Sequence, residues 1–219
     1  MKKLIPEILA AAALILAGTA GAGQFRVGAH AGYLNPKANE FDNEMGVGAI
    51  LKYKFTDTLG IEIGADYYRW KVDEVADMPY SVEDPSVSYD ETDKVYPLYC
   101  TVMFFSPTLE KRARAYLGLG AGFYQIEADI EGSTVISDGS TSYPVSITGD
   151  IDGQVSYHIA AGADFELSPY IYLNVEARYV FTKIDREMTF SNPEIGTTTV
   201  KDEEDFDNWQ VRLGLEYAF

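Results

Sequence analysis

The 219-residue chain holds two histidines, His30 and His158, and one cysteine, Cys100. Neither histidine has the company that nucleophilic chemistry needs. On one face of a strand the neighbour is two residues on; His30 meets Gly32 there and His158 meets Ala160, so no hydroxyl stands beside a base. A lone cysteine excludes an intrachain disulfide and a four-cysteine metal site, and Cys100 is expected to pack as a small apolar side chain. Gly118, Gly120 and Gly122 lie inside an extended segment with no helix to follow, so they are not a nucleotide-binding turn. Asp150 and Asp152 before Gly153, and Asp202, Glu203, Glu204 and Asp205, offer oxygen ligands, but neither set completes a calcium loop. No catalytic residue, no cofactor and no metal site is expected. The groups that remain are charges embedded in apolar alternation: Arg26, Lys52, Lys54, Glu62, Asp66, Asp164, Glu166, Glu176, Arg178, Arg212 and Glu216, five positive and six negative. Buried charges are costly unless paired. A near-balanced set therefore reads as ion pairs through a core, or as a polar permeation path.

These residues need elements that turn them all one way. The chain supplies period-two alternation, the mark of half-buried strands, in eight segments: 24–34, 45–55, 60–71, 95–106, 114–128, 154–166, 170–182 and 208–219. In the seventh, Ile171, Leu173, Val175, Ala177, Tyr179 and Phe181 share a face, and Tyr172, Asn174, Glu176 and Arg178 share the other. No window carries a 3.6-residue apolar stripe. The connections alternate in length. Residues 35–44, 72–94, 129–153 and 183–207 are long; 56–59, 107–113 and 167–169 are short and rich in turn formers. Long loops at one end and tight turns at the other describe a transmembrane barrel, apolar side out, whereas a soluble sandwich turns its apolar faces inward. Aromatics fall near both strand ends, Phe55, Phe105, Phe165, Tyr170 and Phe219 by the short turns, and Tyr33, Tyr67, Phe123, Tyr157, Tyr179 and Trp209 by the long loops. Tyr170 and Tyr179 are separated by roughly 23 Å of depth in a tilted strand, the spacing of two interfacial girdles.

Charge sharpens the exclusion. Acidic residues number 34 against 17 Lys and Arg, a net −17, which argues against nucleic acid as a partner. Mean hydropathy of −0.11 is too low for a bundle of membrane helices. The four long connections carry 24 acids against 5 bases, so the outer face is acidic and the strands are near neutral. Such loops stay solvated, gather divalent cations against lipopolysaccharide phosphates, or form a cation-attracting vestibule. Arg69, Lys71, Lys94, Lys183 and Arg186 would form a basic collar for those phosphates, or simply snorkel at the rim.

Inward glycines, Gly28, Gly32, Gly46, Gly48, Gly118, Gly120 and Gly122, leave room opposite. Tyr68, Trp70, Tyr116, Tyr124 and Tyr172 would fill it, or would line a cavity for a small apolar ligand. Pro97 removes one ladder hydrogen bond and marks a bulge or kink.

Residues 1–22 read as a secretory signal peptide: Lys2 and Lys3, an apolar run over 8–17, and a small-residue cleavage site at Ala20, Gly21 and Ala22. An N-terminal anchor is the competing reading, with an apolar run short for a span. Residues 23–219 then form the outer-membrane barrel domain. The ending 212–219 (RLGLEYAF) places Gly214, Tyr217 and Phe219 in the pattern of the C-terminal insertion signal that the outer-membrane assembly machinery reads. With 25–29 (FRVGA), 57–63 (DTLGIEI), 95–98 (VYPL), 114–124 (RAYLGLGAGFY) and 161–167 (AGADFEL), the chain resembles small outer-membrane barrels of the OmpW type, and more loosely the OmpX type and the OmpA membrane domain. The resemblance implies an all-β, eight-stranded antiparallel up-and-down barrel in the bacterial outer membrane, with periplasmic termini and no enzymatic activity. It implies contact with outer-membrane lipid and lipopolysaccharide, and passage or binding of small hydrophobic molecules. The OmpX-type alternative is a sealed structural barrel whose acidic loops meet partners.

Overall fold

A strand surrounded by lipid must have every backbone N–H and C=O paired, and only a closed ring of strands leaves no open edge. The computed structural model describes residues 23–37, 43–77, 86–107, 112–137, 142–192 and 196–219. It contains β1 (Gln24–Pro36), β2 (Glu44–Lys54), β3 (Leu59–Asp77), β4 (Ser86–Phe105), β5 (Ala113–Ser137), β6 (Ser142–Asp152), β7 (Gln154–Ser168), β8 (Ile171–Phe181), β9 (Lys183–Asn192), β10 (Gly196–Asp205) and β11 (Asn208–Ala218). Eight of these close the ring in the order β1-β2-β3-β4-β5-β7-β8-β11, all antiparallel, with β11 returning to β1 through Arg26 opposite Ala218 to Pro36 opposite Asn208. The signal-peptide expectation for 1–22 lies outside the described residues.

Three strands stand outside the ring. β5 continues past its pairing with β7 and takes β6 as partner, β6 pairs β9, and β9 pairs β10. The sequence reads 129–153 and 183–207 as loops. Only a few apolar side chains there are buried (Val145, Ile151, Ile184, Phe190), too widely spaced among polar residues to read as strand alternation. Pairing is instead held by small hydroxyl and charge contacts across the ladder: Thr189 to Thr199 at 3.3 Å, Ser191 to Thr197 at 3.2 Å, and Lys183 with Glu203. β3 and β4 likewise extend beyond the ring, from Tyr68 opposite Val95 to Asp77 opposite Ser86.

The short turns are tied locally. Thr56 Oγ1 accepts from the Leu59 N–H at 3.0 Å, and Ser168 Oγ accepts from the Ile171 N–H at 3.1 Å. The outer wall is apolar: Leu117, Leu119, Val211, Leu213 and Leu215 are exposed, as lipid-facing positions must be. Tyr170, Tyr217 and Phe219 form the lower aromatic edge, with Tyr170 stacked on Tyr217. Tyr179, Phe181 and Trp209 pack edge to face at the upper edge. Phe105 does not belong to the lower girdle. It is buried inside against Met103 and Tyr116, while Phe104 faces outward. The sequence of β4 hides this, because residues 95–105 are apolar on both faces and alternation cannot choose between them.

Candidate functional site

Parity in eight strands brings one set of charges to mid-height in the lumen. Arg26, Lys52, Arg178 and Arg212 are buried there together with Glu62, Asp66, Asp164, Glu176 and Glu216; Lys54 is buried too, but nearer the short-turn end. Lys52 and Glu62 are register partners across the first turn, and Nζ lies 3.4 Å from Oε2. The same ammonium is 2.5 Å from Glu216 and 3.5 Å from Asp164. Arg26 stands directly opposite Lys52, a repulsive pair by itself. Asp164 and Glu216 lie against both cations and offset that repulsion, with Arg26 Nη1 2.8 Å from Asp164 and 3.5 Å from Glu216. Arg178 reaches Glu176 at 2.9 Å and Glu62 at 3.1 Å. Arg212 bonds Asp66 and lies 3.5 Å from Glu176. Glu166, grouped with these in the sequence, is only half-buried, at the short-turn end.

Neutral groups knit this belt to the wall. Asn174 donates to Asp164 at 2.7 Å and to the Tyr116 hydroxyl at 3.0 Å, and that hydroxyl donates to Glu176 at 2.9 Å. His30 Nε2 is 2.9 Å from Asp66, and His158 Nε2 is 2.8 Å from Thr101 Oγ1. The second contact sets a hydroxyl beside an imidazole, contrary to the expectation from spacing along one strand, because it comes from a different strand. The Tyr99 ring lies between two guanidiniums, 4.0 Å from that of Arg178 and 4.5 Å from that of Arg212. Tyr99 and Thr101 escape the sequence reading, and the cause is again the two-sided apolar pattern of β4. Asn174 is placed on the inward face by parity with Tyr172 and Glu176, but without a role. Cys100 faces outward.

Above the belt the lumen turns apolar. Leu34, Tyr68, Val95, Tyr124, Ile126, Ile151, Val180, Ile184 and Phe206 pack in one buried cluster at the outer end. Gln210 joins the two layers, donating to the Tyr124 hydroxyl at 2.7 Å while accepting from Arg212 at 2.7 Å.

Of the five aromatics grouped as one ligand cavity, the four whose side chains are described lie at different places in the lumen. Tyr68 and Tyr124 belong to the outer cluster, Tyr116 to the opposite end with Met103 and Phe105, and Tyr172 lies 3.6 Å beneath the Arg26 guanidinium. The side chain of Trp70 lies outside the described residues. Strand tilt and stagger separate side chains that parity alone puts on one face. The glycines act as seats for these rings. A Cβ at Gly46 would lie 2.4 Å from the Tyr68 ring, and one at Gly64 would lie 2.1 Å from the Tyr99 hydroxyl. Gly214 faces inward against His30, while Tyr217 and Phe219 face out beside the closing seam.

A closed ring of this size with an apolar outer wall and a charge-paired interior is a bacterial outer-membrane barrel. The outer membrane protein beta-barrel domain model matches residues 8–219, and the chain belongs to that family. Among solved structures it is similar to the outer membrane protein OprG from Pseudomonas aeruginosa, at 19% identity over 90% of this chain and 96% of that one, with a TM-score of 0.63. It is also similar to a major outer membrane protein from Thermus thermophilus, at 15% identity over 91% and 100% of the two chains and a TM-score of 0.55. AlkL, solved in lipid bilayers, aligns at 17% identity over 91% and 92%, with a TM-score of 0.54. No curated protein shows a significant sequence match.

Proposed function

We propose that the protein takes small apolar molecules from the outer face and hands them to the membrane through its wall, without conducting through its lumen. The observation that carries this reading is a break in the wall at the level where the lumen turns apolar. The β3–β4 ladder pairs Ala65 with Leu98 and next Tyr68 with Val95. Between them Asp66 and Tyr67 face Tyr96 and Pro97 without ladder pairing, and Pro97 has no N–H to give. On the lipid side Tyr67 and Tyr96 cover the break, ring centroids 5.4 Å apart. On the lumen side Val95, Tyr68 and Tyr124 belong to the apolar cluster. Beneath it, the charge belt bars a straight path to the periplasm. The OmpW-type resemblance, which implies passage of small hydrophobic molecules, supports the same reading. In this reading no residue acts as a catalyst.

The test is uptake of a fluorescent apolar probe into the bilayer of proteoliposomes. Pro97→Val restores a donor and a β-branched side chain at the break, and should slow uptake several-fold. Unchanged uptake would contradict lateral release.

A second reading rests on the sheet that β5, β6, β9 and β10 build outside the ring, which ends in the exposed strand β10. In it the barrel is a sealed support, and the acidic external sheet meets partners or divalent cations. Replacing residues 185–203 by a short turn, which keeps Ile184 of the apolar cluster, would abolish that role and leave uptake intact. In both readings Gly214, Tyr217 and Phe219 serve the assembly machinery, and the lipid-facing wall meets lipopolysaccharide in the outer leaflet.

A further inference from the structure

Below the charge belt, at the short-turn end, the lumen opens into a recess of about 510 Å³. Its inner end is the Arg26–Asp164 ion pair, with Tyr172 beneath the guanidinium. Lys54 lines it and is only 8% exposed. Its ammonium stands 5.0 Å from the centre of the Phe105 ring, and among the described residues no carboxylate forms an ion pair with it. The other inward lysine, Lys52, has three carboxylates around it. A buried cation without a partner is the exception in folded proteins, and this one points into an open space.

The rim repeats the sign. Arg112 and Arg114 line the same recess. Arg114 is 3.4 Å from the well-exposed Asp57, an ion pair that solvent weakens. Arg112 has no carboxylate partner among the described residues. Glu166 is the remaining acid, and its N–H donates to the Arg112 carbonyl at 2.8 Å, which fixes the two rim strands together. Lys54 and the two arginines thus outweigh Asp57 and Glu166, in a chain that is strongly acidic overall.

We propose that this recess binds a small phosphate-bearing solute entering from the periplasmic side, with its oxyanion on Lys54 and its outer oxygens on Arg112 and Arg114. Guanidinium forks match phosphate oxygens two at a time and an ammonium serves as a point charge. The volume is that of a small-molecule site. Phospholipid headgroups lie outside the wall, so the ligand is a free solute. The site is on the opposite side of the belt from the apolar cluster and stands or falls independently of lateral release.

Calorimetric titration of the purified barrel with inorganic pyrophosphate at low ionic strength tests this. One saturable site per barrel is expected. Lys54→Met should weaken it by about tenfold or more, the loss of one charge-assisted contact. Arg112→Ala, on a solvent-exposed side chain that folding does not need, should weaken it several-fold. Arg69→Ala, toward the other end, should leave it unchanged. Absence of saturable binding, or equal binding by the Lys54→Met and Arg112→Ala variants, would overturn the proposal. If binding seen in phosphatidylcholine bilayers vanishes in phosphatidylglycerol bilayers, headgroups occupy the recess and the free-solute assignment is wrong.

Discussion

Each charge in the belt is held by more than one partner, so removing one strands others. Arg212 serves Asp66 directly and Glu176 at 3.5 Å, all three buried. Arg212→Met should destabilise the barrel by about 3–5 kcal/mol, because two carboxylates lose a counter-ion away from water. Urea unfolding of the lipid-reconstituted protein measures it, and a shift under about 1 kcal/mol would mean water reaches the belt. Packing is as exacting. Gly64→Ala forces its new methyl to within 2.1 Å of a hydroxyl whose ring is wedged between Arg178 and Arg212, whereas a methyl at Gly214 meets its nearest atom at 3.0 Å. Gly64→Ala should therefore cost about 1–3 kcal/mol in the same unfolding experiment, and Gly214→Ala clearly less. The charged residues were legible in the sequence because charge on one face of an apolar alternation has only one place to go. Their partners were less so. Which carboxylate meets which cation depends on strand tilt and stagger, and the ring of Tyr99 sat on a strand whose two faces read alike.

At the scale of elements, the ring strands were legible and their upper ends were not. The lipid boundary imposes alternation, and alternation stops where lipid stops. β3, β4 and β5 nevertheless continue past it, because a long connection still satisfies its amides best by pairing. In the outer sheet Lys183 bonds Glu203, and that carboxylate raises the lysine above its ordinary range. A raised lysine keeps its charged partnership at neutral pH and loses it only as pH climbs through the raised value. NMR of the Lys183 side chain should place its titration above that of free lysine, and Glu203→Gln should bring it back. Both groups are exposed, so barrel stability should not follow that titration. Pro97 is the element-scale feature on which lateral release depends. It was visible as a proline in a strand, but that the gap coincides with the floor of the apolar cluster required the register.

The whole molecule reads as a barrel divided by its charge belt into two blind ends. The outer end is apolar, with the β3–β4 ladder interrupted at Pro97 beneath Tyr67 and Tyr96, and the inner end is a cationic recess at the short turns. Heat-modifiable migration on gels should report a folded ring, as expected of closed outer-membrane sheets. The division itself is the central claim, and single-channel recording of the refolded protein in a planar bilayer tests it most directly. The belt predicts a silent bilayer from correctly folded protein, because four cations (Arg26, Lys52, Arg178 and Arg212) and five carboxylates occupy the cross-section as mutual partners. Discrete openings from that same preparation would contradict it, and would show that the paired charges line a path instead of closing one.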